Sequence, residues 1–196
     1  MSTTQTPRPS SRLRAALGAT LRNPFAAWCG FVVAHFWLGL LNLYADGFPL
    51  GDVDFVYKFW ADQVLVGHYL VGIDGGWVYP IVAIVPMIAA ASFGSALYAS
   101  TWLALVMLLD AAAFAVILGT GRAVRGHPVP EHPVPEHPVA GRSRSGVLIG
   151  WWWIGFLVLL GPIAMGRIDS ITIPLAIVGV LFVAARPRAA AILLAV

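Results

Sequence analysis

The apolar positions of this chain gather into long runs. From Phe25 to Tyr44, from Ser95 to Leu118, from Val147 to Met165 and from Ile171 to Ala185 the sequence is dominated by apolar side chains, and a last run opens at Ala189 and reaches Val196. A helix crossing a bilayer needs about 20 largely apolar residues. The pattern therefore predicts an all-α, polytopic transmembrane helical protein, with spans at about 25–44, 95–118, 147–165 and 171–185 and a span that starts at 189 and stops after eight residues. Because a helix does not end in hydrocarbon, the expectation is that the chain is either the N-terminal part of a longer reading frame or a truncated, inactive copy.

The polar stretches between these runs sharpen the picture. A polar, Arg-bearing leader occupies residues 1–23. The apolar run behind it is too long for a signal peptide and no clear small-x-small cleavage site follows, so it reads as an uncleaved signal anchor. Composition agrees: 59% of residues are hydrophobic and 11% charged, with mean hydropathy +0.82, against about 25% charged in a soluble domain. Most of the chain is thus expected to be solvated by membrane lipid. The net charge of +3 comes from clustered basic residues and not from a basic face, which argues against a nucleic-acid partner. Cys29 is the single cysteine, so no intrachain disulfide can form.

One segment is ambiguous, the apolar but short and proline-bearing Tyr79 to Ala91. The positive-inside rule decides between its two placements. If it lies on the outer interface, Arg8, Arg12, Arg14 and Arg22 of the leader, Arg122, Arg125, Arg142 and Arg144 of the middle loop, and Arg186 and Arg188 all face the cytoplasm, ten of the twelve basic residues. If it spans, that bias is lost. Residues 45–94 are accordingly expected to form one long outer loop bearing interfacial helices, and 119–146 a cytoplasmic loop. The localisation expected is the inner (plasma) membrane, multi-pass, with a cytoplasmic N-terminus.

The cytoplasmic loop holds the repeat His127-Pro-Val-Pro-Glu, His132-Pro-Val-Pro-Glu, His137-Pro-Val. Alternate prolines enforce an extended polyproline backbone, which turns about 120° per residue, so a five-residue period sends successive histidines to different faces. The repeat reads as a solvated linker, and no metal site is expected.

Any chemistry is expected in the outer loop. Asp52 and Asp54 follow the first span in Gly51-Asp-Val-Asp-Phe-Val-Tyr57, ahead of an amphipathic stretch with Trp60, Val64, Leu65 and Tyr69. Aromatics here serve equally as interfacial anchors, and outer acids as solvated charges. A carboxylate fixed at the lipid surface is also what a transferase using a lipid-linked donor requires, because it can take the proton from an acceptor hydroxyl.

The order Asp54-x-Val56-Tyr57, then Gly67-His-Tyr69, then Tyr79-Pro80 with Ala83 and Pro86 resembles glycosyltransferase family 87. These are polytopic GT-C enzymes that include actinobacterial mannosyltransferases using polyprenyl-phosphate mannose. Gly166-Arg-Ile-Asp169 is similar to that family's Gly-Gln-x-Asn element, with Arg and Asp replacing the amides. The resemblance covers roughly 25–196 and implies a GT-C-like N-terminal portion. It implies inverting transfer of a sugar, mannose by the family's habit, from a polyprenyl-phosphate donor to a glycan or glycolipid hydroxyl. The lipid-linked donor is a co-substrate and no cofactor is implied. Asp54 aligns with the family's general base, and Asp52 is the second choice. Tyr57, Lys58, Tyr79, Arg167 and Asp169 are the expected substrate-binding residues, with Arg167 facing the donor phosphate or, alternatively, Asp169 or lipid headgroups. Lys58 is expected to hold the Asp54 carboxylate, the phosphate or neither. The competing class is a small non-enzymatic membrane protein, a transporter subunit or helper. Within the spans, Asp110 is either functional or a hydrogen-bond partner of a neighbouring helix, His35 and Asn42 are expected to make interhelical contacts, Trp151 to Trp153 to anchor a membrane interface, and Gly161-Pro162 to kink its helix.

Overall fold

Asn23 and Pro24 start the first long helix. In the computed structural model, which describes residues 9–123, 142–183 and 186–195, the Asn23 side chain accepts a hydrogen bond from Phe25 N–H at 2.9 Å and Pro24 supplies a preset φ where no intrahelical donor is needed. Ahead of it the leader forms α1 (Pro9–Thr20). The span itself is α2 (Pro24–Tyr44). Gly47, with φ 91°, and Phe48, with φ 54°, turn the chain out of α2 into the expected loop.

That loop is helical in pieces. A π-helical segment at Asp52–Tyr57 runs into α3 (Lys58–Leu65), and after an irregular stretch a 3-10 turn at Ile81–Ala83 leads into α4 (Ile84–Ala90). The whole apolar run Ile81–Phe93 is too short to count among the helices long enough to cross a membrane. Gly94, at φ 85°, turns the chain into α5 (Tyr98–Ala123), whose entry Ser95–Leu97 is 3-10. Then follow α6 (Arg142–Leu160), a 3-10 turn at Gly161–Ala164, α7 (Asp169–Phe182) and α8 (Pro187–Leu194). No strand is present among the described residues, and the one isolated bridge joins Val71 to Gly75.

Among the described residues three stretches are long and apolar enough to cross a membrane, Pro24–Tyr44, Ser95–Gly119 and Gly146–Ala164, so length and composition point to an all-helical membrane protein. Exposed Phe25, Trp37, Trp152 and Leu159 lie on these helices, an apolar surface that suits lipid and not water. The expected fourth span is only partly realised. With 14 residues at about 1.5 Å per residue, α7 covers roughly two thirds of a hydrocarbon core about 30 Å thick. α5 and α6 differ in the other direction, running beyond their apolar runs into the Arg-bearing ends of the middle loop, because helical hydrogen bonding does not stop where apolar side chains stop. Gly161 ends α6 and does not kink it: with φ 66° it breaks the α-helix into the 3-10 turn. The His-Pro repeat lies outside the described residues.

The core has two parts. The larger gathers Leu38, Val53, Tyr57, Met87, Trp102, Val106, Trp153 and Met165 where the loop elements meet α2, α5, α6 and α7. The smaller gathers Ala27, Phe31, Ala34, Phe114, Val147 and Ile154 at the other end of α2, α5 and α6. Small residues let these helices approach: a Cβ on Gly30 would lie 2.6 Å from the Trp151 ring. Trp152 faces outward while Trp153 is buried, so the Trp triplet is divided between surface and core.

Candidate functional site at the loop end of the bundle

Four polar contacts tie separate elements together where α2 ends, α5 begins and α6 turns into α7. Asn42 donates through Nδ2 to Pro162 O at 3.0 Å. Trp102 Nε1 donates to Met165 O at 2.9 Å. The backbone N–H of Ile168 donates to Tyr57 Oη at 3.0 Å, and the Arg167 guanidinium is ion-paired with Asp52. The turn 161–168 is thus held by α2, α5 and the π-helical segment together. Its approach is close, since a Cβ on Gly166 would meet Pro49 O at 2.9 Å.

Two residues apart on a helical segment, Asp52 and Asp54 face different ways. Lys58 N–H reaches Val53 O, five residues back, so the turn is wider than an α-helical one. Asp52 is half-buried and points to Arg167. Asp54 is exposed and lines a cavity of about 280 Å³ formed by residues 42–51 with Asp54 and Phe55. Packing of that loop desolvates Asp54 and raises its carboxyl above the usual carboxylate range, while the positive charge of Lys58 works the other way. Lys58 itself is bonded to Asp62 at 3.1 Å, one helical turn on. Tyr57 is buried, packed on Trp102 at 5.0 Å between ring centroids and edge-on to Tyr79 at 6.2 Å. Burial raises the Tyr57 phenol well above its ordinary range, and the Ile168 amide opposes this.

A second cavity, a groove of about 470 Å³, runs along α6 and α7. Its walls are mostly apolar, from Trp152, Phe156, Leu160, Ile173 and Ile177, with Arg167 and Asp169 also in its lining and Asp110 facing it from α5. Asp169 opens α7, where a negative charge suits the helix N-terminus.

Of the seven residues expected from sequence, Asp52 pairs with Arg167 and Tyr57 packs edge-on to Tyr79, and Asp169 shares the groove with Arg167. Asp54 lies toward the other cavity and Lys58 beside it. Sequence reasoning did not find Trp102 as a tether, because a tryptophan inside an apolar run looks like any other core residue. The interhelical contact expected of Asn42 is present, and its Oδ1 is buried with no hydrogen-bond partner. Among the described residues no group of three metal-ligating side chains occurs. Comparison with protein-family models, with curated proteins and with solved structures finds no match to this chain.

Proposed function

We propose that this chain carries the acceptor- and donor-facing part of a membrane glycosyltransferase of GT-C type, which moves a sugar, taken to be mannose, from a polyprenyl-phosphate donor to a glycan or glycolipid hydroxyl. In this reading the loop end faces the outside of the inner membrane, which the distribution of basic residues supports, and α7 contributes a short fourth membrane segment.

The observation that carries the reading is the two-sided π-helical segment. One of its aspartates faces a cavity and the other a guanidinium at an apolar groove, and π-helical turns are frequent at functional sites. A prenyl chain suits the apolar walls of the groove, and its phosphate suits Arg167, whose planar fork offers donors beyond those Asp52 engages. The acceptor occupies the cavity beside Asp54. There the Asp54 carboxylate takes the hydroxyl proton, the acceptor oxygen forms its bond to the anomeric carbon, and polyprenyl phosphate departs with the electron pair of the broken C–O bond. A desolvated carboxylate is a better base for this step than a solvated one, because its proton affinity lies closer to neutral pH.

The test is transfer of labelled mannose from polyprenyl-phosphate mannose in membranes that express the protein in its native reading frame. The expected result is labelled glycan or glycolipid above membranes lacking the protein. No transfer to any acceptor in native membranes would contradict the reading and favour the non-enzymatic alternative.

A further inference from the structure

Halfway along α2 and α5 a histidine and an aspartate meet in the apolar interior. His35 and Asp110 are each only 2% exposed, and Nε2 of His35 lies 3.0 Å from Oδ2 of Asp110. The other ring nitrogen, Nδ1, lies 3.0 Å from Phe31 O. A carbonyl oxygen can only accept, so Nδ1 carries a hydrogen and donates it. That leaves two arrangements for Nε2. With a neutral ring Nε2 has a lone pair and the carboxyl must be protonated and donate; with an imidazolium Nε2 donates to a carboxylate. In both, the pair is neutral overall and one proton sits between Nε2 and Oδ2.

We infer that His35 and Asp110 form a proton-binding site within the membrane, which joins α2 to α5 only while it holds that single proton. Removing the proton leaves a lone pair facing a carboxylate and one uncompensated negative charge in the apolar interior, an arrangement that costs several-fold more than a lost neutral hydrogen bond. No neighbouring cation replaces it. The groove that Asp110 lines has Arg167 and Asp169 as its other charged residues, and they are paired with Asp52 and placed at the start of α7 respectively. The cleft that His35 lines, with Gly39, Ser100 and Met107, has no other charged side chain. On α2 and α5 the remaining titratable side chains among those described are exposed Cys29 and Tyr44, and Tyr98, whose hydroxyl donates to Met87 O. From α6 the pair's surroundings are apolar or indole, as with Trp153. Because each partner borders a cavity, the proton can exchange without unfolding. The inference is independent of the transferase reading.

The test is the unfolding midpoint of the purified protein in lipid nanodiscs as a function of pH, for wild type, Asp110→Asn and Asp110→Leu. The wild type should lose about 5 °C or more as pH rises through loss of the shared proton. Asp110→Asn should fold, since an amide can donate to the Nε2 lone pair as the carboxylic acid does, and should lack that alkaline loss. Asp110→Leu should be less stable than Asp110→Asn at neutral pH. The same alkaline profile in wild type and Asp110→Asn would overturn the inference, as would failure of Asp110→Asn to fold or full stability of Asp110→Leu.

Discussion

The two ends of the bundle are held together by different means. Away from the loop, α2, α5 and α6 meet through rings and glycines: Phe114 sits 4.8 Å from Phe31 and 4.9 Å from Trp28 between centroids, and a Cβ on Gly150 would come within 3.0 Å of the Phe114 ring. At the loop end the helices meet through hydrogen bonds to non-helical backbone at Pro162, Met165 and Ile168. Lipid is as apolar as a core side chain, so the first kind of contact gains from close packing and little from excluding water. The second kind gains little stability per bond and fixes geometry. The comparison shows one end held by rings and glycines, and a loop end where a larger apolar core is overlaid by polar tethers that fix geometry; the proposed chemistry belongs to the second.

The largest stability effect among these predictions should come from Phe114, at the ring-packed end. Phe114→Ala removes the ring shared by Phe31, Trp28 and Gly150, and should cost about 3 kcal/mol, toward the low end for Phe→Ala because the lost transfer term is small in lipid. On the proposed function, mannose transfer per folded molecule should stay near wild type. Unfolding in mixed micelles, together with activity normalised to folded protein, checks both halves; a large loss of specific activity would break the division between the ends.

The smallest effect on stability should come from Lys58→Gln. The exposed pair with Asp62, four residues apart on a helix, is worth about 0.3–0.5 kcal/mol. The effect on titration is separate and has a definite sign. Lys58 lowers the Asp54 carboxyl while burial raises it, so removing the lysine raises it further, and the acid limb of the pH–rate profile should move to higher pH. A shift to lower pH, or none, would separate Asp54 from the reacting base.

Much of the fold was legible in the sequence, for a physical reason. In a membrane the apolar run is the helix, so α2, α5 and α6 could be read from composition along the chain, and the Asn23-Pro24 start from capping chemistry. The apolar run that reaches Ala185 did not mark the ends of α7, which begins at Asp169 and ends at Phe182. The residues of the loop-end site were legible from motif order, but their partners were not. Arg167 and Asp52 are 115 positions apart and His35 and Asp110 are 75 apart, and neither distance leaves a periodic trace. The π-helical turn was hidden too, since a wider turn in Asp52–Tyr57 has no distinct residue pattern.

The divergence of the two aspartates is the most direct way to test whether the loop end does the chemistry. In membranes containing matched amounts of each protein, mannose transfer by Asp54→Asn should fall about 10²–10⁴-fold, as loss of a general base requires. Asp52→Asn should stay within about tenfold of wild type, because it weakens a partly exposed ion pair worth at most about 1 kcal/mol. Full activity of Asp54→Asn would contradict the account, and loss confined to Asp52→Asn would move the base to the groove side of the segment.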